Sequence, residues 1–318
     1  MIRPLYFLFI IVLLFVASCS NDEKVAFTNA DDREIGAYVR TTATVNSDFS
    51  IDNPLDFFWV DLEFHDEENG FLTESLEVFL TYKKFDGITS SEVLLKTIDS
   101  DIFTVGVFGK PVTPLTVSFQ EALDAFDLTM ADMVCKDQFE VRINQVLSDG
   151  RSFTTGQSSS KILAADDFWS SPFCYTINVI EPIAEDLFTG LYTMENIVDG
   201  PLGPTFGDTA LVEVYKGHST NVREMRLRHR LSILQEQPRI FRFTVVCDQT
   251  VFSKDLLSSK VGFCGIDPAI LLGPDDENAT ISATDDSVFE LWFVEGYLGF
   301  DGNCGFGTAP SRIRFSKQ

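Results

Sequence analysis

FEVRINQVLSDGRSFT, residues 139–154, alternates apolar and polar side chains, turns through Ser148-Asp149-Gly150 and resumes at Arg151. A period of two gives a strand one buried and one wet face, and Asp-Gly between two such runs is the strongest short-range hairpin signal. The same alternation recurs at residues 38–45, 57–64 and 76–82. Glu68-Asn69-Gly70 and Asp86-Gly87 supply turn chemistry around them, because these residue types tolerate a left-handed backbone. One segment breaks the rule. Residues 118–126 have helical apolar spacing behind a capping box of Ser118 and Glu121, which predicts one short helix. Thr129 and Asp132 predict a further turn. After Glu181-Pro182-Ile183 the strand signals begin again, at residues 209–215, 224–234, 240–247, 279–283, 289–294 and 312–315. The expected fold is mostly β: a β-sandwich with one short helix over residues 35–182, then a second β-sandwich or small β-barrel over 183–318.

Composition narrows the function. The chain has 318 residues and a formal net charge of −24. Such a surface repels nucleic acid and anionic head groups, so no nucleic-acid partner is expected. Of six cysteines, Cys135, Cys174, Cys247, Cys264 and Cys304 fall in the folded part. Five cannot all pair, so at least one buried free thiol is expected. Their connectivity is open; a Cys247–Cys264 bridge would close a short loop and contribute about 3 kcal/mol in the chain-entropy model.

The first residues carry an address. Arg3 precedes an unbroken apolar run at 7–17, the length of a signal-peptide core rather than a membrane span. Val16-Ala17-Ser18-Cys19 follows and resembles the bacterial lipobox. The resemblance implies removal of residues 1–18, a diacylglyceryl group on the Cys19 sulfur and an acylated amine, hence a lipid bilayer as partner. Two or more chains anchor stably, at roughly 0.8 kcal/mol per buried methylene. Residues 19–34 read as a polar, acidic tether. Its first residues, Ser20 to Lys24, resemble the signal that sends Bacteroidota lipoproteins to the cell exterior.

The run from Ser118 to Asp132, Asp137-Gln138-Phe139 and Ser148-Asp149-Gly150-Arg151, taken with the lipobox, resembles the N-terminal immunoglobulin-like domains of Bacteroidota surface lipoproteins that accompany Sus-type (starch-utilisation-like) outer-membrane transporters. The likeness covers about half the mature chain and includes no catalytic motif. It implies an outer-membrane protein facing the exterior that captures a glycan or peptide, or serves as an accessory subunit of the transporter complex. A structural envelope or adhesion role is the alternative.

No catalytic signature accompanies these features. His65, His218 and His229 lack a metal-ligand spacing, and serine-elbow, phosphate-loop and dinucleotide motifs are missing. The expectation is a non-enzyme without cofactor or metal. A glycan-active hydrolase using an acid pair stays as a further alternative, since that pairing is three-dimensional. Asp275-Asp276-Glu277-Asn278, Asp285-Asp286 and Asp301-Gly302-Asn303 offer oxygen ligands for calcium, but without EF-hand spacing they read as solvated turns. Trp59 and Trp292 lie within alternating strands and are expected to be buried. Trp169, in a polar loop-like stretch, is a candidate ligand or partner contact. So are Arg226, Arg228 and Arg230, which share one strand face while Met225, Leu227, His229 and Leu231 take the other. Asp208-Thr209-Ala210 and Asp286-Ser287-Val288 resemble O-glycosylation acceptors of the same phylum.

Overall fold

The 139–154 hairpin forms as its alternation dictates. Strand β8 (Gln138–Leu147) buries Phe139, Val141, Ile143, Gln145 and Leu147 and keeps the intervening residues at the surface. The chain reverses over Asp149 and Gly150, Gly150 taking φ 88°, and returns as β9 (Ser152–Phe153). The computed structural model describes residues 36–164, 168–229, 237–259, 264 and 269–318. Cys19 and the rest of residues 1–34, together with Arg230 and Leu231, lie outside the described residues.

Two sheets face each other in the first half. One runs β1 (Tyr38–Asn46), β3 (Phe57–His65), β7 (Pro111–Ser118), β6 (Thr104–Val105). The other runs β2 (Phe49–Ser50), β10 (Cys174–Ile180), β8, β4 (Thr73–Lys83), β5 (Val93–Asp99), with β9 on β8. Pairing is antiparallel except between β10 and β2. Helix α1 (Phe119–Asp124) starts where the capping box predicts: Ser118 Oγ accepts from Glu121 N at 3.1 Å and Glu121 Oε2 accepts from Ser118 N at 2.8 Å. It drops Phe119, Ala122 and Leu123 into the sandwich core, where Phe119 stacks on Phe49 at 4.6 Å. A one-turn helix α2 (Ser160–Leu163) precedes β10.

The second half is one ten-stranded sheet. Its strands are β11 (Gly190–Val198), β12 (Thr209–Lys216), β13 (Val222–Leu227), β14 (Arg239–Val246), β15 (Gln249–Phe252), β16 (Leu256–Ser259), β17 (Ile270–Pro274), β18 (Ala279–Thr280), β19 (Val288–Glu295) and β20 (Ala309–Lys317). They follow the order β16-β17-β19-β20-β11-β12-β13-β14-β15-β18, and the sheet curls until β15 packs against β19. Phe206, Phe241, Phe243, Phe252, Phe289, Phe293 and Phe315 fill the concave side, which accounts for much of the phenylalanine in this half. The described residues are therefore mostly β, in three sheets, with one short α-helix of more than a single turn.

Three sequence expectations need correction. Trp59 and Trp292 are only half-buried, because the inward positions of their strands go to Phe58, Val60 and Leu62 and to Phe289, Leu291 and Phe293. Each indole lies on the outer face and donates to the acid two residues away, Asp61 or Glu290, at 2.9 Å; Trp292 also lies 3.8 Å beneath the Arg312 guanidinium. The third concerns the disulfides. Cys247 pairs with Cys135 and Cys264 with Cys304, leaving Cys174 as a free thiol, so no Cys247–Cys264 bridge forms. Cys247 closes the β14–β15 turn, which faces the other module and not the Cys264 loop.

The modules pack as part of one compact unit, Ala37–Gln318. The Cys135–Cys247 bridge spans 112 residues and staples one to the other beside a Lys136–Asp248 ion pair. Arg223, the largest fully buried side chain, donates to the carbonyls of Ala184 and Leu187 in the linker and of Thr220 and Val222 in its own loop, at 2.7–3.2 Å. Asn221 adds bonds to Glu181 O and Val245 O at 2.8 and 2.7 Å.

Arg223→Met leaves those carbonyls without donors and is expected to lower stability by about 3 kcal/mol or more, read from the urea midpoint. Replacing Cys135 and Cys247 together by serine is expected to cost about 4–5 kcal/mol, given the long loop released.

Candidate functional site

A cleft of about 480 Å³ opens between the modules, continuous in its lining with a smaller hollow of about 240 Å³. The first module contributes β1, β3, β8 and β10 through Thr41, Phe58, Glu140 and Tyr175; the second contributes β14, β15 and the 253–256 turn. Direct bonds bound it on one side. Ser219 Oγ donates to Asp48 Oδ2 at 3.3 Å, and His218 Nε2 lies 3.0 Å from Ser47 Oγ. On the other side Ala164 packs with Leu257, Ala269 and Leu271, joined by Tyr297 and Phe300. A site held at both edges is preformed, which is the usual condition of a small-molecule pocket.

Charges within the cleft mostly satisfy one another. Lys83 pairs with Glu140 at 2.8 Å, and Arg242 with Glu224 at 2.7 Å. Asp48 is buried; burial pushes its carboxyl above the ordinary range, opposed by hydrogen bonds from Ser47, Asn178 and Ser219 and by nearby His218. Cys174 lines both hollows, and burial pushes its thiol up to about 11, so it stays protonated at neutral pH and is no ready nucleophile.

Asp255 is the exception. It is 5 % exposed, its Oδ1 has no hydrogen-bond partner among the described residues, and it lines both hollows. The residue holds φ 58°, a left-handed conformation that aspartate adopts more readily than most but still at a cost. Burial pushes its carboxyl up to about 6, offset in part by Lys254. Tyr297 stands nearby, its ring lying flat over Gly273, where a Cβ would come within 2.3 Å of it. Seven serine and threonine side chains, among them Thr44, Thr176 and Thr244, and the amides of Gln138, Asn178 and Asn278 add to the polar lining. The arrangement is suited to a compact ligand that donates to one carboxylate and exchanges hydrogen bonds with hydroxyls and amides while resting on aromatic rings.

The residues singled out from sequence lie elsewhere. Trp169 is 36 % exposed and packs edge-on against Tyr38 and Phe168 at 5.1 Å, one residue outside the cleft-lining Ser170. Arg226 and Arg228 are exposed on one face of β13 and its continuation, with Met225, Leu227 and His229 buried on the other; neither lines the cleft. Arg230 is outside the described residues. Asp286 is engaged structurally, accepting from Phe188 N, Tyr192 Oη and Lys317 Nζ, and Asp301 from Gly307 N. Among the described residues no cluster of three or more potential ligands gathers for a metal ion. A second buried polar group, Glu295 with Thr205 and His229, sits in the second module away from the cleft. Asp255 carries no sequence signal, since neither its burial nor its backbone angle is written in Ser253-Lys254-Asp255.

No protein-family model matches the chain, and no curated protein sequence matches it significantly.

Asp255 makes a signed pH prediction. Its folded pKa lies above its unfolded value of 3.8, so the native state holds the proton more tightly. Stability is untouched below about pH 4, falls as pH rises toward 6, and stays lower above it by up to about 3 kcal/mol. Asp255→Asn is expected to leave stability near pH 4 unchanged and to raise it by about that amount at pH 8, measured by urea unfolding at both pH values.

Proposed function

We propose that the chain is a non-catalytic, lipid-anchored protein of the outer membrane, facing the cell exterior, that holds a small neutral, hydroxyl-rich ligand in its intermodule cleft as a binding or accessory subunit of a nutrient uptake system. The observation that carries the reading is Asp255: a buried carboxylate with an unpartnered oxygen, kept at a destabilising position in a preformed cleft. Such a group gains its missing hydrogen bond from a ligand. The paired charges around it leave little net field, which favours a neutral ligand over an ion, and 480 Å³ accommodates one or two sugar units. A short uncharged peptide is the alternative ligand.

The strand order supports an immunoglobulin-like first module. Written as A = β1, B = β3, E = β7 and D = β6, one sheet runs A-B-E-D; the other runs G = β10, F = β8, C = β4, with β2 beside G and β5 beside C. Two disulfides are consistent with an extracytoplasmic location. The lipid anchor rests on the lipobox-like leader.

The test is a thermal-unfolding screen of the intact protein against neutral mono- and disaccharides and uncharged dipeptides. A true ligand at 100 times its Kd stabilises by about 2.7 kcal/mol. The expected result is stabilisation by a sugar, abolished by Asp255→Ala; a screen in which no compound shifts the midpoint sinks the cleft reading.

A further inference from the structure

The first module ends in an apolar tip. Between β6 and β7 the chain turns through Gly106-Val107-Phe108-Gly109-Lys110, with Gly106 N donating to Lys110 O at 2.8 Å and Gly109 N to Gly106 O at 3.0 Å. The two central turn positions are Val107, 94 % exposed, and Phe108, 73 % exposed. Turn centres are ordinarily polar, glycine or proline, and neither side chain here gains anything from the fold. Both flanking glycines are needed for the turn: Gly109 has φ 73°, and a Cβ on Gly106 would lie 2.7 Å from Val112 Cγ1. The backbone is thus fixed to present two large apolar groups to the outside.

Neighbouring turns extend the surface. Thr104–Val105 pairs with Pro111–Val112, Gly70 packs against Pro111, and Phe103 stacks on Phe64 at 4.4 Å, which brings exposed Phe71, Ile102 and Val105 to the same end. Register fixes which end this is. Val112 pairs with Glu63, and His65 with Tyr38, so the tip lies beyond the strand end at which the chain joins the module. The second module is attached at the opposite end, after Ile180, which pairs with Ser50.

We propose that this tip inserts into the headgroup–acyl boundary of the leaflet that holds the lipid anchor, giving the protein a second membrane contact. The inference rests on the anchor reading for its occupant: the described chain enters the module at this end, where Tyr38 pairs with His65, so the segment that would carry an acylated Cys19 is attached beside the tip. Charge selects the lipid. Asp66 is occupied by the amides of Glu68, Gly70 and Leu72, and Glu67 by Arg151; Glu68 and Asp101 add two negative charges at this end and Lys110, in the turn itself, one positive charge. The matching surface is therefore zwitterionic rather than anionic, with apolar insertion as the driving interaction.

The test uses the whole chain, expressed in a bacterium that processes lipoprotein leaders, with Phe108→p-benzoylphenylalanine and, as a control at an exposed site on the second module, Leu211→p-benzoylphenylalanine. After irradiation of intact membranes, adducts are identified by mass, and the Cys19 peptide is weighed in the same digest. The expected result is a lipid adduct at position 108 several-fold above that at 211. A protein adduct at 108, or lipid labelling no greater than at 211, overturns the proposal. The Cys19 mass reads the anchor separately: an acylated Cys19 with no lipid adduct at 108 sinks the tip alone, and an unmodified Cys19 sinks the anchor.

Discussion

The buried guanidinium of Arg223 ties the chain that joins the two modules to the second of them. An arginine without access to water needs acceptors in the plane of its fork, and here they are main-chain carbonyls, two from the linker and two from its own loop. Carbonyls cannot rotate away as side chains can, so the bonds fix the linker's path. Among the described residues no carboxylate bonds to it, and burial pulls the guanidinium's pKa down, though Tyr192, Glu185, Asp186 and Asp286 lie near enough to resist. A lysine could reach one or two of these oxygens but could not span all four.

Rigidity at the linker has a consequence at the cleft. The Cys135–Cys247 bridge and the Asp48–Ser219 bond close one edge, and the Ala164–Leu257–Leu271 packing closes the other. Neither wall can collapse onto the other to bury the lining. Polar groups that would be satisfied by closure therefore remain facing the space, and Asp255 is the extreme case. Its carboxylate is desolvated by the fold yet denied a partner by it. In a flexible junction a small rotation would bring Lys254 or a hydroxyl into contact; this junction holds the carboxyl apart from them.

The elements that repeat a short rule were readable from sequence, and those that depend on long-range placement were not. The 139–154 hairpin, the Ser118 capping box and the strands around Phe58 and Phe289 follow from spacing alone. Alternation reports that two faces differ but not which face a large indole takes, which is why Trp59 and Trp292 were expected inside. Disulfide partners lie 112 and 40 residues apart, a separation invisible to any local rule. The arginine run at 223–230 was readable as a strand with cations on one face. Its decisive member, Arg223, has the parity of the buried Met225, Leu227 and His229, but the linker carbonyls that let a guanidinium sit on that face lie 36 to 39 residues away and are not written locally.

Local rules fail in two informative places. Val107-Phe108 puts apolar bulk where turns are polar, and Asp255 puts a charge in a left-handed, buried position. Natural sequences are otherwise consistent across propensity, pattern and packing, so isolated violations concentrate where something besides folding sets the residue. Val107 and Phe108 stand clear of the hydrophobic cores, whereas Asp255 directly precedes the core residues Leu256 and Leu257 in the wall of the cleft. The apolar tip lies at the β6–β7 end of the first module and the cleft runs along its β1 and β10 flank, so the two surfaces share no residue and neither departure from the local rules can be explained by the other.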